Sequence, residues 1–160
     1  MAKQLSISKD LNKKERYEAL LPQLQALLEG ESDLTANLAN TAAALRETMG
    51  FFWVGFYIVK ENMLVLGPFQ GPVACTRISF ERGVCGACYR SKQTIVVEDT
   101  EAFPDHIACS SESRSEIVVP ILVKGEVVAV LDVDSDHYGS FDETDAFYLE
   151  KAVELLTEYF

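Results

Sequence analysis

A loop in the second half of the chain carries the residues best suited to chemistry. Residues 103–116 include His106 and Cys109, end on Glu116, and follow neither a helical nor a strand period. Loops this long inside compact domains are usually functional or disordered, and the proline, histidine, arginine and cysteine here favour a function. Because the apolar run 116–121 begins at once, a thiol and a carboxylate reach the same end of one rigid strand. We predict that Cys109 is a redox nucleophile.

The other three cysteines are Cys75, Cys85 and Cys88. Cys85 and Cys88 share one face of a predicted short helix, a spacing typical of thioredoxin-like motifs and of zinc sites. The thioredoxin motif follows a βαβ pattern, which this chain lacks, and structural zinc sites generally pair two close-spaced dyads. We therefore expect no metal, and we interpret Cys88 as a small buried apolar residue. Cys75, Cys85 and Cys109 lie at element ends or in loops, where solvent access is expected.

Three carboxylates form the second group of candidates. The apolar strand 126–134 turns acidic on one face at its end, at Asp132 and Asp134. In a hairpin that turns at residues 124–125, the start of one strand lies beside the end of the other, so Glu116 comes level with these aspartates. If they crowd together, one should keep a proton and act as a general acid while its ionised neighbours bind an ammonium group. The simpler alternative is a strand whose last residues are in water.

Two further side chains could complete such a site. Trp53 offers an apolar wall suited to a cation or a thioether methyl, although core packing explains a lone tryptophan better when it is taken in isolation. His106 could lower the pKa of Cys109, three residues away, or could be a loop histidine with no further role.

The elements that must position these residues alternate between amphipathic helices and short strands. The hydrophobic period and the glycine stops predict helices over residues 12–29, 33–49 and 83–91, and a last helix opened by a capping box of Ser140 with Glu143 that buries Phe147. Strands are predicted over residues 51–59, 63–66, 74–80, 94–97, 116–123 and 126–134. Because tight turns join most strands, we expect an α+β fold with helices packed against an antiparallel sheet.

Composition restricts the classes of function. The chain has 160 residues, enough for one domain with its own core, and a formal net charge of -11. That charge argues against nucleic acid and anionic membranes as partners, since both require a basic surface. Residues 1–11 are predicted to form an irregular tail without the apolar segment of a signal peptide, and no run has the length of a transmembrane helix, so we expect a cytoplasmic location.

Several segments resemble one known family. They are residues 52–57 (FWVGFY), 67–71 (GPFQG), 75–78 (CTRI), 83–86 (GVCG), 103–109 (FPDHIAC) and 115–121 (SEIVVPI). They are similar to free methionine-R-sulfoxide reductase, a stand-alone GAF-domain enzyme, and the similarity extends from about residue 16 to the end. The resemblance implies one GAF domain over residues 1–160, with a central antiparallel sheet flanked by helices.

The resemblance also implies a thiol-based reaction. The family reduces the R epimer of free methionine sulfoxide, usually with electrons from thioredoxin and without a cofactor. Cys109 matches the attacking cysteine that becomes a sulfenic acid, Cys75 the main resolving cysteine that forms the disulfide, and Cys85 a third cysteine that can join the exchange. The substrate pocket of the family matches Trp53, Glu116, Asp132 and Asp134. Cys88 departs from the family, which usually has a small residue without a thiol there.

Two alternatives use the same residues. A GAF module without catalysis would bind a small ligand and report to a partner, although such sensors normally come fused to an output domain, which we do not expect here. A peroxide-sensing switch would use Cys109 and Cys75 without reducing a sulfoxide. The sequence leaves a homodimer open.

Overall fold

Six strands form one antiparallel sheet at the centre of the computed structural model, which describes residues 3–107 and 109–160. The strands are β1 (Trp53–Lys60), β2 (Met63–Gln70), β3 (Arg77–Ser79), β4 (Ile95–Val97), β5 (Ser115–Val123) and β6 (Glu126–Ser135). Their order across the sheet is β3-β2-β1-β6-β5-β4. The helices are α1 (Lys13–Leu28), α2 (Leu34–Met49), α3 (Gly83–Ser91) and α4 (Glu143–Glu154). The predicted α+β fold with an antiparallel sheet is confirmed.

Three residues lie outside the described part of the chain: Met1, Ala2 and Ala108. The predicted N-terminal tail is therefore described only from Lys3, and the predicted central loop apart from position 108. From Lys3 to Leu11 the chain has neither helix nor strand, but Leu5 and Ile7 pack against the helical core.

One face of the sheet is covered by α1, α2 and α4. Their buried leucines, among them Leu20, Leu38 and Leu149, pack on the side chains of β1, β5 and β6 that point the same way. Asn12 caps α1 through a reciprocal bond with Glu15, which fixes where the helix begins. None of the described helices is both long and apolar enough to cross a membrane.

The other face carries only α3 and the loops, and it holds a second apolar cluster. Trp53, Tyr57 and Val118 belong to this cluster together with Cys85 and Cys88 of α3. Alternation along β1 places Trp53 and Tyr57 on this face and Val54 and Phe56 on the helical face, whereas Phe52 precedes the strand and packs on the α3 side. Because α3 is short and covers only part of this face, there is room for a cavity at the end of the sheet.

The start of the last helix differs from the prediction. Asp142, not Ser140, is the N-cap of α4, and the capping box is completed by Asp145 rather than Glu143. Asp145 is also held by Lys13 and by the Tyr17 hydroxyl at 2.6 Å each, which ties α4 to α1. Phe147, predicted to be buried, is 54% exposed. The two-residue shift follows from the tertiary contacts of Asp145, which pattern alone does not contain.

The second strand does not end at Gly67 and Pro68 as predicted. It continues to Gln70, and the pairing with β1 shifts by one residue between Gly55 and Tyr57. This bulge accommodates the proline, which lacks an N–H for the ladder. The predicted strand 74–80 is shorter, because only Arg77–Ser79 pairs with β2. Residues 71–76 are consequently free to form a wall of the cavity.

Gly55 makes the close packing of this wall feasible. A Cβ placed on Gly55 would lie 2.3 Å from Cβ of Phe69 and 2.7 Å from the indole of Trp53. Trp53 and Phe69 stack with ring centroids 5.3 Å apart, so neither ring can move away from Gly55 without displacing the other. Glycine at 55 therefore sets the position of the indole.

Replacing Gly55 with alanine should shift that indole. We expect the free energy of unfolding in urea to fall by about 1–3 kcal/mol from overpacking. The fluorescence of the folded protein should also change, because Trp53 is its only tryptophan. Gly139→Ala is the matched control, since Gly139 has a φ of 60° but no atom near a new Cβ. Gly139→Ala should lower the free energy of unfolding without altering the fluorescence of the folded protein. An unchanged emission spectrum for folded Gly55→Ala would contradict the packing argument.

Candidate active site

Three carboxylates line the bottom of a cavity at one end of the sheet. The β5–β6 pairing sets Glu116 opposite Asp134, and the β1–β6 pairing sets Gly55 opposite Asp132 and Trp53 opposite Asp134. The predicted register is thereby confirmed. Glu116 and Asp132 are each only 6% exposed. Because Gly55 has no side chain, the indole of Trp53 can lie over this part of β1.

Burial raises the pKa of all three groups, and repulsion by neighbouring carboxylates raises it further for Glu116 and Asp134. Desolvation is the main cause for Glu116, followed by the charges of Asp132 and Asp134. Burial also raises the pKa of Asp134, again with a contribution from Asp132. The pKa of Asp132 rises to about 6 through burial, although Glu116 and the thiol of Cys85 oppose this. The cluster therefore keeps protons at neutral pH and can supply one to a bound molecule.

Asp132 also has an unused acceptor. Its Oδ1 is buried and has no hydrogen-bond partner of ordinary geometry in the described part of the protein. A buried acceptor without a partner costs about 1–3 kcal/mol, so a donor that entered the cavity would recover that energy. The arrangement favours a ligand with an ammonium group.

Aromatic side chains form the apolar wall. Trp53 and Tyr57 lie along β1 with ring centroids 6.1 Å apart, and both line the cavity. The indole Nε1 donates to the carbonyl of Pro72 at 3.0 Å, and the Tyr57 hydroxyl donates to the carbonyl of Cys75 at 2.9 Å. The wall therefore holds the segment that carries Cys75. Tyr57 was not singled out by the sequence analysis, although its spacing of two residues from Trp53 along a strand puts both side chains on one face.

A disulfide between Cys75 and Cys109 lies at the mouth of the cavity. Their Cα atoms are 5.2 Å apart, which is within the range that a disulfide requires. Cys109 lines the cavity, and both residues are half-buried rather than part of the core. The cavity has a volume of about 40 Å³, which is large enough to admit water. Two residues 34 apart in sequence thus meet directly above the carboxylates.

The loop that bears Cys109 is anchored at its base. The Thr100 hydroxyl donates to the carbonyl of Ser113 at 3.0 Å, and the Thr100 N–H donates to the carbonyl of Arg114 at 2.9 Å. Near the tip, the N–H of Gly83 donates to the carbonyl of Asp105 at 3.1 Å. These bonds hold a long loop at both ends of the cavity mouth, as its predicted functional role requires.

The remaining cysteines lie inside the protein. Cys85 is 3% exposed and Cys88 is fully buried, and both are free thiols. The expected solvent access of Cys85 is therefore wrong, because the first turn of α3 faces the sheet and the cavity. Burial, with the nearby carboxylates, raises the pKa of both thiols. The Sγ atom of Cys88 lies 3.6 Å from the carbonyl oxygen of Val118, so Cys88 is a core residue, as predicted.

The two histidines differ in position. His106 lines the cavity beside Cys109, and burial lowers its pKa, so near neutral pH it is uncharged and cannot stabilise a thiolate as a cation. His137 is exposed and lies 2.8 Å from the carboxylate of Asp136. Ser113, which sequence reasoning did not single out, also lines the cavity.

The raised carboxylate pKa values make stability depend on pH. An acid whose pKa is higher in the folded state favours folding when protonated, and this contribution is lost as pH rises from the unfolded value toward the folded one. For Asp132 that window runs from 3.8 to about 6. The free energy of unfolding should fall as pH rises through this window, by up to about 3 kcal/mol.

Asp132→Asn should make the free energy of unfolding depend less on pH and should stabilise the ligand-free protein at pH 8. Urea unfolding at a series of pH values measures this free energy. Asp136→Asn is the control for net charge, because Asp136 is exposed just beyond β6. If the free energy of unfolding changed equally with pH in the wild type and in Asp132→Asn, ionisation of Asp132 would not destabilise the folded protein.

Comparisons with known proteins agree with this geometry. The GAF domain family matches residues 33–159. "GAF domain-containing protein A" of Dictyostelium discoideum is 57% identical over 157 residues, covering 98% of this chain and 99% of the relative. The free methionine-R-sulfoxide reductase of Escherichia coli is 44% identical over 144 residues, covering 89% and 87% of the two chains. The crystal structure of the free methionine-R-sulfoxide reductase of Neisseria meningitidis with its substrate superposes with a TM-score of 0.94, at 52% identity and over 100% of this chain and 96% of that one. The chain therefore belongs to the GAF domain family and, within it, to the group that includes the free methionine-R-sulfoxide reductases.

Proposed function

We propose that this protein, acting as one GAF domain over residues 1–160, reduces free L-methionine (R)-sulfoxide to L-methionine. The observation that carries the proposal is the Cys75–Cys109 disulfide above a cavity lined by buried carboxylates. Relatives named for this activity, one of them a structure in complex with its substrate, support it. An oxidoreductase that works through thiols needs a nucleophile, an acid and a binding site, and the cavity can supply each of them.

Recognition of the free amino acid follows from the carboxylates. An ammonium group can donate to Asp132 Oδ1, which has no other partner among the described residues, and its charge relieves the repulsion from Glu116 and Asp134. A peptide-bound residue has no ammonium group, so it would leave these acids without compensation. Trp53 and Tyr57 provide an apolar wall for the methyl and methylene groups.

The first chemical step transfers oxygen to sulfur. The thiolate of Cys109 attacks the sulfoxide sulfur, and a protonated carboxylic acid of the cluster, most simply Glu116, protonates the sulfoxide oxygen. The hydroxyl then passes to the sulfur of Cys109, and both the sulfur–oxygen bond of the substrate and the transient sulfur–sulfur bond to Cys109 break. Methionine leaves, reduced by two electrons, and Cys109 is left as a sulfenic acid. Burial of Glu116 supports this role, because it keeps the group protonated near neutral pH.

The second step restores the thiols. The thiolate of Cys75 attacks the sulfenic sulfur of Cys109, which forms the disulfide and releases water. In this proposal the disulfide form is the state of the protein after turnover. A dithiol reductant, for which we propose thioredoxin, then supplies two electrons and two protons by exchange. The cytoplasmic location expected from the sequence suits this cycle, since thiols must be kept reduced.

Cys85 and Cys88 have different parts in this proposal. Cys85 lines the cavity, so it can exchange with Cys109 once the mouth opens. Its burial and raised pKa make it a slower nucleophile than a half-buried cysteine such as Cys75. Cys88 does not line the cavity and serves as packing.

Removing the proposed nucleophile gives the most direct test. Cys109→Ala should abolish formation of methionine from the R epimer, measured by separation of the amino acids with a dithiol donor present. Cys88→Ser is the matched control and should keep most of the activity. Residual turnover in Cys109→Ala, or equal turnover of the S epimer by the wild type, would contradict the assignment.

Replacing the resolving cysteine should give one fast turn followed by slow turnover, because only Cys85, the slower nucleophile, is left to attack Cys109. Cys75→Ser should quickly release about one equivalent of methionine in the presence of thioredoxin, and a sulfenic acid should be trapped at Cys109. Mass mapping of the wild type after one equivalent of the R epimer should find the Cys75–Cys109 pair. If hydrogen peroxide forms this disulfide faster than the sulfoxide does, the protein is a peroxide switch instead.

Removing the unused acceptor should weaken selection for the free amino acid. Asp132→Asn should raise KM for methionine-R-sulfoxide about tenfold or more, because about 1–3 kcal/mol is lost with one buried partner. The ratio of kcat/KM for free methionine-R-sulfoxide to kcat/KM for N-acetylmethionine sulfoxide should fall by a similar factor. Asp136→Asn, which removes an exposed charge nearby, should leave both values unchanged. An unchanged KM for Asp132→Asn would exclude it as the ammonium partner.

A further inference from the structure

Cys85, Glu116 and Asp132 form a cluster that sulfoxide reduction does not fully use. They come from three elements, α3, β5 and β6, and all three side chains are buried and line the cavity. We propose that they bind a thiophilic divalent cation, Zn²⁺ in the first place, and that the bound ion excludes the substrate from the cavity. Binding of the ion does not depend on the proposed function, whereas its inhibitory effect does.

The geometry of the cluster suits a small cation. One ligand atom from each residue, Sγ of Cys85 and a carboxylate oxygen of Glu116 and of Asp132, lies within 4.8 Å of the other two. Zinc binds oxygen at about 2.0–2.2 Å and thiolate at about 2.3 Å in tetrahedral geometry, so its ligand atoms lie about 3.3–3.7 Å apart. Rotation of the side chains by about 1 Å would bring the three groups to these distances around one ion.

The orphaned acceptor of Asp132 is an independent indication of a ligand. Oδ1 is buried, and no donor in the described part of the protein bonds to it. The residues described around the cavity include neither lysine nor arginine, so no cation of the protein compensates these acids. A dication would satisfy Oδ1 and neutralise the repulsion between Glu116 and Asp132, two effects that a water molecule cannot combine.

The types of ligand favour zinc over magnesium or calcium. Magnesium and calcium select oxygen ligands, whereas a thiolate with two carboxylates is typical of a borderline-soft metal such as zinc. Three protein ligands leave a fourth position open, unlike the closed structural sites that the cysteine spacing argues against. When the metal binds, the thiol of Cys85 loses its proton to the buffer, and no electrons are transferred.

The disulfide form allows the site to be tested apart from catalysis. Cys75 and Cys109 are bonded to each other and cannot bind a metal, whereas Cys85 remains a free thiol inside the cavity. Cys88 is also free but lies against the carbonyl of Val118. Any thiolate–metal signal from the oxidised protein must therefore come from one of these two residues, and variants can separate them.

The experiment titrates the oxidised protein with Co²⁺ under non-reducing conditions and then displaces it with Zn²⁺. We expect one ion per chain and a near-ultraviolet charge-transfer band from sulfur to cobalt. Cys85→Ser should lose the band, Cys88→Ser should retain it, and Asp132→Asn should weaken binding about tenfold or more. Circular dichroism checks that each variant is folded. A band that persists in Cys85→Ser, or no saturable binding to the folded wild type, overturns the proposal.

Turnover separates this proposal from the proposed function. With the reduced wild type and a phosphine reductant that does not bind zinc tightly, Zn²⁺ should raise KM for methionine-R-sulfoxide at unchanged kcat, and a chelator should reverse the effect. Saturable binding without any turnover in metal-free buffer would refute the reductase and leave the metal site standing. Turnover that bound Zn²⁺ does not slow would refute the exclusion of the substrate.

Discussion

The structure depends on keeping three acidic groups close together in a place with little water. The β5–β6 hairpin fixes Glu116 opposite Asp134, and β1 brings the side-chain-free Gly55 opposite Asp132. Such a cluster is unfavourable in the empty protein, because burial penalises each charge and the charges repel one another. The helical face of the sheet offsets this cost with a core of apolar side chains, and its buried acid Asp145 is paired with Lys13. A site built in this way stores free energy that a cationic ligand can release.

Burial also divides the cysteines by chemistry. Cys109 and Cys75 lie half-buried on loops at the cavity mouth, where two thiols can meet and exchange. Cys85 lies one layer deeper on α3, next to Glu116 and Asp132, where a thiolate is disfavoured unless a cation accompanies it. The same functional group is thus suited to redox chemistry at one depth and to metal coordination at another.

The aromatic wall links the two parts of the site. Trp53 is confined by Phe69 and by the space that Gly55 leaves, and its N–H holds the carbonyl of Pro72. Tyr57 holds the carbonyl of Cys75 in turn. The strand that forms the apolar wall of the cavity therefore also positions the segment that carries Cys75. A displaced indole would alter both the wall of the cavity and the position of this segment.

Local pattern in the sequence determined the element types, the antiparallel hairpin and the register that sets Glu116 beside Asp134, because alternation and turn residues are properties of neighbouring positions. The motifs around Cys75, Cys85 and Cys109 also carried the family resemblance. Only the tertiary structure decided which thiols can form a disulfide, since Cys75 and Cys109 are 34 residues apart in sequence. It also decided which thiols are buried, because the packing of α3 on the sheet directs Cys85 into the protein. It likewise moved the start of α4 to Asp142, because the partners of Asp145 come from α1, at the other end of the chain.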